Sequence, residues 1–149
     1  MSPAVTLLYA RGIAQYMDAH PDLVAPCGMN CAVCSRYLKG QRDQKDTGCS
    51  GCIPRGQGCT YYRGLCRALR DQTIRFCHQC SDFPCERLEK LDARYQKRYD
   101  TSLIDNLRRI QHDGIDPFLQ EEKERWRCPQ CGGTVSIHTS ICIDCACQV

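Results

Sequence analysis

The last twenty-two residues, Cys128 to Val149, read CPQCGGTVSIHTSICIDCACQV, and the whole chain is best understood outward from them. Two C-x-x-C pairs, Cys128/Cys131 and Cys142/Cys145, stand ten residues apart. Two thiolates three positions apart can turn toward one ion across a tight turn, so each pair supplies half of a tetrahedral site. Between the pairs, Gly132-Gly133 gives a turn whose backbone N–H groups can donate to sulfur, and Val135 and Ile137 alternate as in a hairpin strand. This pattern predicts a zinc ribbon in which Cys128, Cys131, Cys142 and Cys145 hold one structural Zn2+. With four thiolates on the ion no position is left for water, so such a zinc is not catalytic. Cys147 falls outside the quartet and reads as a free thiol, or as a substitute for Cys145.

The same spacing recurs upstream in Cys31/Cys34, Cys49/Cys52 and Cys77/Cys80, and the chain holds 15 cysteines in 149 residues. A secreted disulfide scaffold has a similar composition. The amino terminus argues against it, because the short apolar run Ala4 to Ala10 meets Arg11, Gln15 and Asp18, which a signal peptide would not. An odd cysteine count also leaves one thiol over, and C-x-x-C partners sit too close for ordinary structural bridges. No stretch is apolar enough to span a membrane. Metal-bound thiolates in the reducing cytoplasm are the expectation.

Ten cysteines lie between Cys27 and Cys85, among seven glycines and few apolar side chains. Hydrophobic burial alone cannot organise such a segment, and metal binding would supply the folding free energy. Cys31/Cys34 with Cys49/Cys52 would make one zinc site, and Cys59 and Cys66 with Cys77/Cys80 another, leaving Cys27 and Cys85 over. Alternatively Cys27, Cys31 and Cys34 take three corners of a 4Fe-4S cluster and Cys85, after Pro84, the fourth. Spacing does not separate zinc from iron, since both accept thiolate tetrahedra. The C-x3-C-x2-C spacing of Cys27, Cys31 and Cys34 is also that of radical S-adenosylmethionine enzymes, but the alternating strands and helices of their barrel are missing. Nor does a βαβ pattern precede Cys77-His78-Gln79-Cys80, as a thioredoxin-type pair would require.

Helical periodicity appears at both sides of this segment. Val5, Leu8, Ile13, Tyr16 and Met17 predict an amphipathic helix over 3–19. Leu88, Leu91, Tyr95 and Tyr99 predict another over 84–99, capped by Ser81 or Asp82 and entered by Pro84. A third is predicted over 102–112 with Ser102 and Asp105 as a capping box and Gly114 as its stop, and a fourth over 116–126 carrying Phe118, Leu119, Glu122 and Trp126. These helices are expected to form the only conventional core. The fold class is thus a small metal-stabilised α+β protein: an N-terminal helix (1–24), a Cys-rich zinc-knuckle module (25–90), a short helical bundle (91–127) and a C-terminal zinc ribbon (128–149).

The formal charge of +3 counts every cysteine as neutral, and three four-thiolate zinc sites would take it to about −3, so basic residues here offset thiolate charge. Arg67, Arg70, Arg75, Arg94, Lys97, Arg98, Arg108 and Arg109, with Tyr95 and Tyr99 between them, would suit a nucleic-acid face. Interspersed Asp71, Asp82, Glu86, Glu89, Asp92, Asp100 and Asp105 favour a solvated helix surface instead. His20, His112 and His138 read as structural or solvent-facing, with His138 able to donate to a thiolate; His78 is the histidine best placed to be a ligand, since cysteines flank it. No serine, histidine and carboxylate set forms a catalytic constellation, so the reading is non-enzymatic.

APCGMNCAVC at 25–34, GCSGC at 48–52 and FCHQCSDFPCERL at 76–88 together resemble the signature blocks of a cysteine-rich family, the domain of unknown function 3795. The resemblance covers residues 23–90 and implies metal ligation by these cysteines and a cytoplasmic location; it implies no reaction. The helices and ribbon that follow are similar to an extension carried by some members. The expected function is therefore a zinc-binding structural or interaction protein with an unknown protein partner. The alternatives are an iron-sulfur electron-transfer or redox-sensing protein with a structural zinc ribbon, and a nucleic-acid-binding zinc protein.

Overall fold

The computed structural model describes residues 20–43, 49–53, 64 and 66–149. The helix expected over 3–19 and the ligand candidate Cys59 lie outside the described residues. Five α-helices are described: α1 (Ser35–Asp43), α2 (Arg67–Arg70), α3 (Glu86–Tyr99), α4 (Leu103–Asp113) and α5 (Ile115–Arg125). Single 3-10 turns occupy Pro21–Leu23, Cys31–Val33 and Cys77–Gln79.

The three long helices form where periodicity places them. In α4, Leu103, Ile104, Leu107 and Ile110 are all buried on one face, and the Ser102 hydroxyl accepts from Asp105 N at 3.1 Å to close its first turn. Gly114, at φ +91, ends α4 and starts α5 without a linker, a conformation that a side chain rarely tolerates. Pro117 falls in the first turn of α5, where its missing N–H has no carbonyl to reach. The start of α3 differs from expectation. Cys85 is its cap and Glu86 its first residue, while Pro84, after a cis peptide bond, belongs to the preceding turn together with Ser81 and Asp82.

Helix α3 packs on α4, and α4 on α5. Asp92, buried on α3, fixes the first pair: its carboxylate accepts from Ser102 Oγ and from Ile104 N at 3.0 Å each, so one helix caps the next. Phe118, Leu88, Leu103 and Leu107 are 0–1% exposed at the centre of the core, each stabilising the fold by about 2 kcal/mol through burial.

The cysteine-rich segment does not stand apart from this core, contrary to the expectation that the helices form it alone. Val24, Ala25, Met29 and Val33, with Cys27, Cys31 and Cys77, share a cluster with Leu88, Leu103, Leu107 and Phe118. The reason lies at Gly28, which sits at φ +88 against α4; a Cβ there would stand 2.5 Å from the Leu103 carbonyl oxygen and 2.9 Å from Leu107 Cγ. Asn106 Nδ2 donates to the Gly28 carbonyl at 3.0 Å, and Cys77 N donates to the Pro26 carbonyl at 2.9 Å. Close backbone approach, which only glycine permits, lets a segment poor in large apolar residues bury what it has.

The described residues are mostly helical with little strand. The expected hairpin strands of the C-terminal segment reduce to isolated antiparallel bridges, Arg127 with Thr134, Val135 with Cys142 and Ile141 with Gln148. With ten residues between ligand pairs and a tight turn required at each, too little extended chain is left for a ladder. The segment docks on the rest through Ile137, which is buried and donates its N–H to the Val33 carbonyl at 3.0 Å.

Candidate metal centre

Cys128, Cys131, Cys142 and Cys145 place their sulfurs within 4.8 Å of one another, and no other such group of metal-ligating side chains occurs among the described residues. The Cys131–Cys142 and Cys128–Cys145 separations are 3.6 and 3.7 Å. Four thiolates on one ion at about 2.3 Å stand about 3.8 Å apart, so the quartet has the dimensions of a metal tetrahedron.

Local sequence explains the convergence. Gly132, at φ +75, turns the chain behind Cys128, with Gly132 N donating to the Cys128 carbonyl at 2.9 Å and Cys128 N to the Gly133 carbonyl at 2.7 Å. Gly133 N then donates to Cys131 Sγ at 3.4 Å. The second knuckle repeats this with Asp144 N on Cys142 Sγ at 3.4 Å and Ala146 N on the Cys142 carbonyl at 3.0 Å. Asp144 braces the two knuckles, because its carboxylate accepts Thr134 N at 3.1 Å and packs directly over Gly133. Cys128 and Cys142 are 1% exposed while Cys131 and Cys145 face solvent, so the site is half sunk in a small cluster with Val135.

The thiols are strongly interdependent. Burial pushes Cys142 up to about 12. Burial opposes ionisation of Cys128 too, but N–H groups of Cys131 and Gln130 and the neighbouring Cys147 and Cys142 thiols hold it down to about 6. A cluster of this kind ionises fully only when a cation supplies the compensating charge. Cys147 is closer than its place outside the quartet suggested: its sulfur lies 3.0 Å from Cys145 and 3.5 Å from Cys128.

The amino-terminal cysteines are distributed differently. Cys27, Cys31 and Cys77 are buried in the main core, with Cys34, Cys52 and Cys66 packed against it; Cys49 and Cys80 are half-buried and Cys85 is exposed. Cys66, Cys77, Cys80 and Cys85 line one cavity of about 440 Å³. Cys27, Cys31 and Cys34 lie within electrostatic reach of Tyr95, whose phenol is pushed above its ordinary range by burial first and by the charge of Cys27 and Cys34 next. No disulfide joins any described cysteine.

Two histidines take roles that spacing did not reveal. His138 is half-buried, and both its ring nitrogens meet partners other than a thiolate. Its Nδ1 accepts Ser35 N at 3.2 Å, its Nε2 lies 3.3 Å from the Tyr95 hydroxyl, and its ring meets Tyr99 edge-on at 5.0 Å, so it ties the C-terminal segment to α1 and α3. Burial lowers its pKa. His78 stacks on Phe76, and its Nε2 is buried with no hydrogen-bond partner. Sequence reasoning also missed Glu122, 3% exposed, which accepts from Trp126 Nε1 at 2.9 Å, Asn30 Nδ2 at 3.3 Å and Arg109 at 3.3 Å and so joins the CGMNC turn to α4 and α5. A lone glutamate on a helix face carries no sequence signal for such a role. Several arginines of the suspected basic face have carboxylate partners: Arg67 and Arg70 with Asp71, Arg75 with Asp22, Arg108 with Asp105, and Arg109 with Glu121. No helix among the described residues is long and apolar enough to cross a membrane.

Residues 23–90 match the family described as Protein of unknown function (DUF3795). No curated protein and no solved structure matches the chain.

Proposed function

We propose that this chain, a DUF3795 protein over residues 23–90, is a metal-organised interaction module whose C-terminal quartet holds a structural Zn2+ as a zinc ribbon. The observation that carries the reading is the convergence of Cys128, Cys131, Cys142 and Cys145 within 4.8 Å, at separations matching a zinc tetrahedron. The bound ion would cancel thiolate charge and lock the two knuckles together. It would have no vacant position at which to activate water or polarise a substrate, so the site supports folding rather than turnover.

The ribbon packs few apolar side chains of its own, chiefly Cys128, Val135 and Cys142. Metal binding therefore supplies the ordering free energy there, and the ordered ribbon in turn presents its outer face to a partner. A protein partner is the reading we favour over nucleic acid, because five arginines of the basic stretch, Arg67, Arg70, Arg75, Arg108 and Arg109, are engaged with carboxylates of the same chain. Thiolate ligation suits a reducing compartment, the cytoplasm.

Chelation tests the reading. Treating the full chain with a strong zinc chelator under reducing conditions should abolish amide protection in residues 128–149 while α3 to α5 stay protected. Unchanged protection in the ribbon after complete metal removal would overturn it.

A further inference from the structure

The cavity beside α2 and the start of α3 carries a second cysteine quartet with a geometry unlike that of the ribbon. Cys66, Cys77, Cys80 and Cys85 all line this space of about 440 Å³. They come from three places: the residue before α2, the 3-10 turn Cys77–Gln79 with the residue that follows it, and the cap of α3. No three of these sulfurs lie within 4.8 Å of one another, whereas the ribbon sulfurs close to 3.6 and 3.7 Å in the same molecule. A single zinc needs the closed arrangement. Cysteines that bind four different irons must instead surround a body several ångströms across, and these four line a single space of about 440 Å³ without closing on one point.

The surroundings agree. Leu69 and Leu88, both nearly fully buried, and Ile74 and Phe83 form the apolar wall of the cavity, the low-dielectric, sulfur-compatible environment in which clusters sit. Cys85 caps the 14-residue helix α3, whose amino-terminal dipole favours a thiolate and the anionic cluster it would bind. Arg67, Arg87, Asp82 and Glu86 line the cavity as well. The exposed Cys85 leaves one side open for assembly.

We infer that Cys66, Cys77, Cys80 and Cys85 form the binding site of a four-iron, four-sulfide cluster. This differs from both groupings that spacing suggested, since it takes Cys85 away from Cys27, Cys31 and Cys34 and joins it to Cys77/Cys80. It is independent of the ribbon zinc.

The test is anaerobic reconstitution of the full-length protein with ferrous iron and sulfide. The wild type should take up about four iron and four sulfide per chain, with broad absorbance at about 400 nm that bleaches on reduction. Cys80→Ala with Cys85→Ala, both away from the main core, should lose this signal by more than about tenfold while helical circular dichroism is kept; Cys34→Ala should retain it. Uptake that survives the double variant, uptake lost instead with Cys34→Ala, or zinc binding at these cysteines with no iron uptake would each overturn the inference. Cys131→Ala separates the two metal sites: iron uptake kept while one zinc is lost supports both readings, and zinc unaffected by that change refutes the ribbon alone.

Discussion

Gly133→Ala is the sharpest perturbation of the ribbon that leaves every sulfur in place. Gly133 is not at positive φ, so its backbone suits alanine; the obstacle is the side chain of Asp144. An added Cβ would lie 2.7 Å from Asp144 Cγ and 2.9 Å from its Cβ. A clash with Cβ is not relieved by rotating the carboxylate, so the second knuckle must shift. That shift breaks the 3.1 Å bond from Thr134 N, whose residue is 5% exposed. Losing a charge-assisted hydrogen bond to a buried N–H costs about 1.5–3 kcal/mol. At about 1.4 kcal/mol per decade this is a loss of roughly 10- to 100-fold in zinc affinity. The assay is competition against a chromophoric chelator under anaerobic, reducing conditions. Gly132→Ala is the comparison: nothing lies within 4 Å of its Cβ, and its φ of +75 predicts a backbone cost of about 1 kcal/mol, hence roughly fivefold. On an Asp144→Ala background the penalty of Gly133→Ala should shrink, because the carboxylate it displaces is gone. Zinc affinity within threefold of wild type for Gly133→Ala, or strict additivity of the two changes, would refute the reasoning.

Three further outcomes are expected. Gly28→Ala combines positive φ with overlap on the α4 backbone, so the urea midpoint should fall by the equivalent of about 3 kcal/mol; a change under about 1 kcal/mol would show that the turn does not seat on α4 as described. Glu122→Ala removes the acceptor of Asn30 Nδ2 and Trp126 Nε1 together and takes one of two carboxylates from Arg109, which keeps Glu121, so with the Arg109 side chain 35% exposed the loss should be about 2 kcal/mol, with Glu122→Gln milder; equal effects of the two would sink the charge-pair account. His138 has its pKa lowered from an ordinary 6.5 by burial, so the unfolded chain takes up its proton first as pH falls. Stability should therefore be full above about pH 6.5 and decline as pH drops through the lower folded value, and His138→Gln should flatten that decline in pH-dependent urea titrations. An unchanged profile in the variant would assign the decline to other groups.

How far the sequence reaches is decided by the range of the interaction concerned. Helices α3, α4 and α5 are visible because Leu88, Leu103, Leu107, Ile110 and Phe118 recur at helical spacing, and the Ser102 cap and the Gly114 stop are local signals. The C-terminal cysteine quartet is legible for the same reason, since a tight turn between two cysteines is a local geometry. Helix α1 went unseen because Ser35–Asp43 carries one buried apolar residue, Leu38, amid polar ones. The shared core was equally hidden: it depends on Gly28 meeting Leu103, residues 75 positions apart in the chain. Asp92, Glu122 and His138 act through partners on other elements, and a single polar residue on a helix or loop does not announce them. The sorting of Cys66, Cys77, Cys80 and Cys85 around one cavity likewise follows from where the fold brings three separate stretches of chain, not from cysteine spacing.

Zinc content per chain of the full-length protein purified under reducing conditions, read by native mass spectrometry, tests the central claim most directly. The account predicts at least one tightly held zinc, lost by one equivalent in Cys131→Ala and kept in Cys147→Ala, because Cys131 belongs to the quartet and Cys147 stands beside it. A zinc-free wild type, or zinc unchanged when Cys131 is replaced, would contradict it.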